Sequence, residues 1–414
     1  MIPTVAVWRN RPRHQTVRVR SKVSAIGFCL LFLLVATAAS ARAGSGPSIS
    51  IRLLPPPLPP SLGPTFYVST NGNDADPGSI DKPWKTIQHA ADTLEPGETA
   101  LVRGGTYLEN VRITRDGTAD APITISGYPS ERAIVQVPPT PGGRLVGASE
   151  DSYPFEIDSA SYVRVHGFVI QGARGPSTAD VYFEQDSDHV ELSGNEIRKS
   201  ADQGVYGERT THDLQIVGNV IHDNGPSPIH QSHGIYLEGV AQLLANNVVY
   251  DNHYGYGIQI YPSADRVLIV HNTVVGNGNT GSSSGGIVLG GSSETTVDNT
   301  TVVNNIVAFN ASAGIRSFFP DWVIQPQGNV AYSNVGWGDP DGDFSTWEGG
   351  GIDYADGNIV ADPAFVDPLR DNFQLSPDSP AIDRAASPYS TDTDFDGKMR
   401  PCGPMPDIGA FESC

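Results

Sequence analysis

Acidic and aromatic residues recur at fixed positions after glycine in the middle of the chain. Two such segments read GVYGE and GIYLE, and their last residues are Glu208 and Glu238. Alternate residues of a strand face the same side, so these glutamates should lie beside each other on neighbouring segments, next to Tyr206 and Tyr236. Two carboxylates that flank a glycosidic bond can hydrolyse it, and aromatic rings commonly contact sugars. The pattern indicates a carbohydrate site.

Further polar aromatic residues and histidines concentrate in the same region of the sequence. From Asn272 onward the equivalent positions carry mostly small or aliphatic residues, such as Val288 and Ala308. A purely structural surface gives no reason for this concentration, whereas a binding groove does. We therefore predict that the groove binds substrate through Tyr206, His222, His230, Tyr250, His253, Tyr254, Tyr256, Gln259 and Tyr261.

A second kind of chemistry, β-elimination, needs a base to remove the proton beside a uronic carboxylate. Lys199 and its neighbour Arg198 lie in the rich region and could serve as that base. His233 and Tyr236 are the alternative bases, because an imidazole or a phenol can also accept a proton. The residues alone leave elimination and hydrolysis both open.

A cation that neutralises the uronic carboxylate would need acidic ligands, and one pair is suitably spaced. Asp223 and Asp251 occupy the same position in adjacent repeats, so they should stack about one strand spacing apart. Stacked carboxylates repel unless a cation intervenes, which makes them a candidate calcium site. The alternative is that both are ordinary turn residues.

The elements that position these residues follow from an asparagine repeat. Segments such as NVIHDN and NVVYDN begin with asparagine at intervals of 24, 28, 25, 33 and 24 residues from Asn195. A near-constant period of this length predicts a solenoid, and stacked asparagines can hydrogen-bond to one another inside a turn. We assign the ladder positions to Asn195, Asn219, Asn247, Asn272, Asn305 and Asn329, each with a second polar residue five positions later.

Three short strands and three turns per repeat predict an all-β fold, a right-handed parallel β-helix that is a single-stranded solenoid. Residues 65–140 should form the N-terminal cap and first coils, residues 141–340 the β-helix repeats and residues 341–414 a C-terminal capping segment. WKTIQHAADTL follows Pro83 and predicts a capping helix with Ile87, Ala90, Ala91 and Leu94 on one apolar stripe.

The N-terminus predicts export. Residues 1–43 contain seven Arg or Lys, no acid and a 15-residue apolar run before Ala-Arg-Ala, which is typical of a signal peptide, and residues 44–64 form a Pro-rich linker.

The remaining chain has 26 − 7 = 19 basic residues against 46 acids, a net charge of −27, so nucleic acid is a poor partner. We expect a secreted, periplasmic or cell-surface monomer with no transmembrane span after cleavage. In an oxidising compartment Cys402 and Cys414 should form a disulfide; the alternative is two unpaired thiols.

Two stretches resemble a known family. FYVSTNGNDADPGSIDKPWKTIQHAADTLEPGETALVRGGTYLENVRI is similar to the N-terminal segment of secreted right-handed β-helix proteins of the pectate-lyase-like superfamily, and the tail from NFQLSPDSPAIDRA resembles choice-of-anchor Q segments. The resemblance implies an exported protein acting on polysaccharide. Our first hypothesis is a pectate-lyase-like enzyme, with calcium as the one possible cofactor. The alternatives are a glycoside hydrolase and a non-catalytic glycan-binding surface protein.

Overall fold

A stack of parallel strands makes up the folded body, and the predicted parallel β-helix is confirmed. The computed structural model describes residues 58–139, 151–175, 177–226, 232–279 and 284–414. The predicted signal peptide and most of the predicted linker lie outside the described residues. No helix within the described ranges is both long enough and apolar enough to cross a bilayer.

Successive coils contribute their strands to three parallel sheets in this described part. Sheet 1 contains β1 Thr65–Val68, β2 Thr99–Val102, β5 Ile123–Gly127, β8 Val163–His166, β11 Glu191–Ser193, β14 Gln215–Val217, β17 Leu243–Ala245, β20 Leu268–Val270, β24 Thr301–Val303, β27 Val330–Tyr332 and β30 Asp353–Tyr354. Sheet 2 contains β3 Gly105–Leu108, β6 Ala133–Gln136, β9 Phe168–Gln171, β12 Glu196–Arg198, β15 Val220–His222, β18 Val248–Tyr250, β21 Thr273–Val275, β25 Ile306–Ala308, β28 Val335–Trp337 and β31 Ile359–Val360. Sheet 3 contains β4 Val111–Ile113, β7 Phe155–Ile157, β10 Ala179–Phe183, β13 Gln203–Gly207, β16 Ile235–Val240, β19 Tyr256–Asp265, β22 Gly285–Gly290, β23 Val297–Asp298, β26 Ala313–Phe319 and β29 Phe344–Gly349.

Aliphatic side chains from all three sheets fill the interior of each coil. In one coil the inward residues Val205, Ile216 and Ile221 are fully buried. Branched side chains pack well on a pleated surface, and their removal from water drives the stacking of coils. The outward residues of the same strands are left free to differ from coil to coil.

Asparagines fill the turn between sheets 1 and 2 and form a continuous ladder. The Asn247 amide donates to Oδ1 of Asn272 at 2.9 Å, while its own Oδ1 accepts from the Asn219 amide at 3.1 Å. Each amide nitrogen also donates to a strand carbonyl, such as Ile216 O at 2.8 Å for Asn247. The complete first ladder is Asn195, Asn219, Asn247, Asn272, Asn305, Asn334 and Asn358.

The structure corrects one ladder assignment. Asn329 precedes β27 and accepts from Thr300 N, whereas Asn334 continues the first ladder. The sequence pattern is ambiguous because asparagines five residues apart can bracket a sheet 1 strand as well as a sheet 2 strand. The second ladder runs between sheets 2 and 3 through Ser200, Asn224, Asn252, Asn277 and Asn310, and it ends at Asp339 rather than at asparagine.

Asp339→Asn should stabilise the protein by about 1–3 kcal/mol at pH 8, because Oδ2 of Asp339 has no hydrogen-bond partner among the described residues. By the repeat, the new amide would donate to Val307 O. Burial raises the pKa of Asp339 to about 8, so wild-type stability should fall as the pH rises from about 4 to about 8. Urea unfolding at pH 5 and pH 8 should show a smaller pH effect in the variant. The exposed Asp356→Asn is the control, and equal behaviour of the two variants would contradict this account.

Helix α1, Ile87–Thr93, precedes the first complete coils. Thr86 is its N-cap, and the Thr86 hydroxyl accepts from His89 N at 3.1 Å. The predicted stripe of Ile87, Ala90, Ala91 and Leu94 is buried. A helix at this position covers apolar interior that an open solenoid end would expose.

Coils continue beyond residue 340, through β31 to Val360, and the chain then folds back along the solenoid. The antiparallel strands β32 Phe365–Asp367 and β33 Asn372–Leu375, joined by a 3-10 turn at Pro368–Arg370, begin this C-terminal segment. Its apolar residues pack on the outer side of sheet 2, in a cluster formed by Val248, Val275, Ile306, Ala308, Val335, Phe365, Phe373, Leu375, Ala381, Ala385, Ile408, Ala410 and Phe411. Cys402 and Cys414 form a disulfide with a Cα–Cα distance of 5.4 Å.

Candidate functional site

Four tyrosines form a ladder on the outer side of sheet 3. The ring centroids of Tyr153 and Tyr182 lie 4.6 Å apart, those of Tyr182 and Tyr206 lie 5.5 Å apart, and those of Tyr206 and Tyr236 lie 5.1 Å apart. Tyr182, Tyr206 and Tyr236 are direct register partners in β10, β13 and β16. The ladder therefore follows the axis of the solenoid across consecutive coils.

The rings around Tyr182 are stacked face to face, which limits how a ligand can contact them. The Tyr182 and Tyr206 planes differ by only 6°. Tyr153 and Tyr206 therefore both stack on Tyr182, whereas the Tyr206 and Tyr236 planes are tilted by 47°. Burial raises the pKa of Tyr206 to about 12, so its phenol remains a hydrogen-bond donor at neutral pH.

A row of carboxylates runs beside the tyrosine ladder. Glu184, Glu208 and Glu238 each follow the outward tyrosine of their strand by two residues, and Asp158 holds the same position in the coil before. At the N-terminal end of the row, Arg112 forms an ion pair with Asp158 and lies 4.0 Å from Glu184. Burial and the neighbouring acids raise the pKa of Glu184. This surface is therefore rich in acceptors for sugar hydroxyls.

Glu208 and Glu238 lie in adjacent coils but in unlike surroundings. Glu238 is only 8% exposed, and burial raises the pKa of its carboxyl, while Arg209 opposes part of this rise and Glu208 adds to it. Arg209 Nε donates to Glu238 Oε2 at 3.2 Å, while Glu208 accepts a hydrogen bond from the Tyr182 hydroxyl. An open cleft of about 340 Å³ lies nearby; Arg209 and Gly239, the residues that follow the two glutamates, are in its lining, but the glutamates themselves are not.

His233 lies beneath the surface, which argues against its predicted role as a base. Its side chain is 1% exposed, and Nδ1 accepts the backbone N–H of Tyr256 at 2.8 Å. Burial lowers the pKa of the imidazole to about 3. The ring edge packs against Tyr236, with centroids 5.5 Å apart, so His233 supports the end of the tyrosine ladder. Tyr256 and Gln259 are buried as well, and Gln259 is the register partner of Tyr236 in sheet 3.

Other predicted site residues lie on sheet 2 and do not join the tyrosine ladder. The rings of His222 and Tyr250 stack with centroids 4.8 Å apart, and Tyr250 packs against Phe373 of the C-terminal segment. Arg198 is held by Glu196, at 2.8 Å between Nη1 and Oε1. The predicted groove is thus divided between two sheets, and His230 lies outside the described residues.

The turn from sheet 2 to sheet 3 carries the predicted calcium ligands. Asp223 and Asp251 have left-handed backbone conformations, with φ of 55° and 48°, as their equivalent positions predict. Burial is the main cause that raises the pKa of Asp251, and the negative charges of Asp371 and Asp223 raise it further. Lys199, with φ of 62°, and His253 belong to the same line of turns, and His253 Nε2 lies 3.9 Å from Asp223 Oδ1. The C-terminal segment brings Asp371 to this side of the molecule, which the sequence repeats do not indicate.

Tyr254 follows His253 in the same turn, and Tyr261 lies near the end of the regular part of β19.

Sequence reasoning missed Tyr153, Tyr182 and Glu184. The sequence pattern depended on a glycine near the start of each sheet 3 strand, such as Gly204 in β13. In β10 that position is held by Asp180, because Ala179 pairs with Gln203 and Val181 pairs with Val205. Asp180 is fully buried, and burial raises the pKa of its carboxyl well above the usual range. The spacing of VYFE against VYGE could have identified this coil without the glycine.

The amino-acid sequence is similar to a protein-family model and to two curated proteins. A model described as "Pel9A-like, right handed beta helix region" matches residues 66–344, more than half of the chain. The uncharacterized protein YwoF of Bacillus subtilis is 27% identical over 203 residues, covering 46% of this chain and 42% of that protein. The pectate lyase PEL9 of Emericella nidulans is 40% identical over 87 residues, covering 20% and 21%. The chain thus spans less than half the length of these relatives.

Solved structures share the fold at low identity. The pectate lyase Pel9A matches with a TM-score of 0.57 and 18% identity, covering 85% of this chain and 97% of that one. A lacto-N-biosidase from Eubacterium ramulus matches with a TM-score of 0.52 and 15% identity, covering 72% and 68%. Together with the matched region and the solenoid described above, these findings show that the chain belongs to the Pel9A-like right-handed β-helix family.

Proposed function

We propose that the protein cleaves a polysaccharide bound along sheet 3, by hydrolysis with Glu238 as general acid and Glu208 as its partner carboxylate. The observation that carries the proposal is the pair of adjacent carboxylates in unlike environments, beside the tyrosine ladder. Catalytic carboxylates in glycoside hydrolysis differ in the same way, because one must hold a proton and the other must be ionised.

The proposed roles follow from the surroundings of each group. A raised pKa favours the protonated form of Glu238, which would donate its proton to the glycosidic oxygen as the C–O bond breaks. Glu208 would attack the anomeric carbon or activate a water that does so. Adjacent coils are about 4.8 Å apart, close to the separation of about 5–5.5 Å in retaining enzymes, which favours the covalent route.

Hydroxyl groups of the tyrosine ladder would bind the glycan. Tyr206→Phe keeps the stacked ring but removes the hydroxyl, which is a hydrogen-bond donor. We therefore expect the dissociation constant for the glycan substrate to rise about fivefold. Isothermal titration calorimetry measures this constant directly, with Tyr67→Phe on sheet 1 as the control. A glycan affinity that is the same in both variants would show that the ladder does not contact substrate.

β-Elimination on a uronic-acid glycan is the second candidate, supported by the 40% identity to a pectate lyase over 87 residues. Lys199 or Arg198 would then act as base, with Tyr236 as the alternative. Asp223 and Asp251 would hold calcium, and Asp371 could join them. Arg198 ends β12 on sheet 2, and Lys199, Asp223 and Asp251 lie on the turns that follow sheet 2. With Lys199 or Arg198 as base, this route therefore places the substrate on a different part of the solenoid from the hydrolytic route, whereas Tyr236 as base would keep it on sheet 3.

One assay separates the candidates. The purified protein is incubated with neutral and uronic polysaccharides, with calcium or with chelator, and reducing ends are measured together with the ultraviolet absorbance of unsaturated products. Reducing ends without unsaturation support hydrolysis by Glu208 and Glu238. Unsaturation that depends on calcium would replace that proposal with elimination. Silence across the panel would leave a non-catalytic glycan-binding role as the better proposal.

The exported location remains part of the proposal, because residues 1–43 have the composition of a signal peptide. We expect N-terminal sequencing of the protein recovered outside the cytoplasm to begin at Gly44. An unprocessed N-terminus would contradict cleavage after Ala43.

A further inference from the structure

A compact Asp-His-His cluster lies at the corner between sheets 3 and 1, away from the tyrosine ladder. Asp188 and His189 precede β11, and His212 precedes β14 in the next coil. Asp188 and His212 are bridge partners, so the stacking of coils sets one ligand directly against another. Neither the hydrolytic nor the elimination mechanism proposed above uses these residues.

Distances within the cluster suit a single small cation. His189 Nδ1 lies 3.0 Å from Asp188 Oδ2, and His212 Nε2 lies 3.8 Å from the same oxygen. One donor atom from each of the three residues falls within 4.8 Å of the others, and this is the one such group of three in the part of the chain that the structure describes. Tetrahedral zinc, with bonds of about 2.0–2.1 Å, places its ligands about 3.4 Å apart.

A hydrogen bond outside the cluster orients one imidazole. His212 Nδ1 lies 3.2 Å from Asp213 Oδ2, which leaves Nε2 directed at Asp188. A carboxylate bonded to the far nitrogen of a histidine is the usual support of a metal-binding imidazole. The ring of His189 stacks on Tyr162 with centroids 4.6 Å apart, which restricts its rotation.

The carboxylate of Asp188 also has an unused acceptor, the oxygen that does not contact the histidines. Its Oδ1 is buried and has no hydrogen-bond partner among the described residues. A buried carboxylate oxygen without a partner is costly, and a cation would compensate it. This observation is independent of the distances between the donors.

We propose that Asp188, His189 and His212 bind one divalent transition-metal ion of the zinc class, with solvent completing the coordination. Two imidazoles and one carboxylate suit zinc, cobalt, nickel or copper, whereas calcium prefers oxygen ligands alone. The ion would join two adjacent coils four residues beyond Glu184 and Glu208, and so would fix the loops that leave the carboxylate row. The proposal does not depend on the reaction that the protein catalyses.

The test uses tag-free protein freed of metal by a chelator and then dialysed. Titration calorimetry with zinc should give one site per chain, and cobalt should give the visible absorption of a tetrahedral ion. His212→Ala and His189→Ala should abolish binding, with folding checked by circular dichroism, and Asp213→Asn should weaken it about 10–100-fold. His166→Ala, an exposed histidine on sheet 1, should bind as wild type does.

Three results would overturn the proposal. These are the absence of zinc and cobalt binding at micromolar concentrations, unchanged binding in His212→Ala, and binding of calcium in preference to zinc. If His212→Ala does not fold, His212→Gln replaces it, because glutamine can keep the hydrogen bond to Asp213 while it is a poor zinc ligand.

Discussion

Glu238→Gln should reduce glycan cleavage by about 10²–10⁴-fold while the β-helix stays folded. The amide keeps the shape of the side chain and can still contact Arg209, but it cannot transfer a proton to a leaving oxygen. Because the general acid must be protonated, wild-type activity should fall as the pH rises through the raised pKa of Glu238. The variant should lose this alkaline limb. Reducing-end assays across pH, on the glycan found active, measure both effects.

The matched control is Glu348→Gln. Glu348 is an exposed carboxylate on β29, the same sheet, beyond the coils that carry the tyrosine ladder. It should leave cleavage unchanged, and glycan affinity should survive in Glu238→Gln. Full activity in Glu238→Gln would remove Glu238 from the mechanism, and loss of binding together with activity would assign it to substrate binding instead.

Asn247→Ala should lower the free energy of unfolding by about 3–5 kcal/mol, since it interrupts the first ladder at its centre. The amide nitrogen donates to Ile216 O and Asn272 Oδ1, and Oδ1 accepts from both nitrogens of Asn219. Alanine would leave these buried groups without partners, and the turn is too well packed to admit solvent freely.

Urea unfolding followed by circular dichroism measures this loss. Asn110→Ala, an exposed asparagine, should change the free energy of unfolding by less than about 0.5 kcal/mol. A similar small change in Asn247→Ala would mean that the ladder contributes register rather than stability, and the asparagine repeat would then need another explanation.

The asparagine repeat predicted the fold because the ladder is a local property of each turn. Asn219 and Asn247 could be read from spacing alone, and so could the adjacent positions of Tyr206 and Tyr236. The same spacing misplaced Asn329, since a strand and its turn take five residues on sheet 1 as well as on sheet 2.

Features that depend on distant parts of the chain could not be predicted. Burial of His233 results from the close approach of Tyr256 in the next coil, which a column of outward positions does not show. Asp371 and Phe373 reach sheet 2 only because the C-terminal segment folds back. The mutual stacking of Tyr182 and Tyr206 depends on side-chain rotation, which the sequence pattern does not encode.

The returning C-terminal segment alters how the solenoid should come apart. In a linear repeat protein each coil is coupled only to its neighbours, so unfolding can begin at an end and proceed coil by coil. Here Asn246 donates to Thr393 O, His271 contacts Tyr389 O and Asn304 donates to Ala386 O, so one segment bonds to three successive coils. Opening of any of these three coils therefore also requires release of contacts made by a segment far along the chain. These three coils and the returning segment should open as one cooperative unit, so their strand amides should show similar free energies of protection from hydrogen exchange.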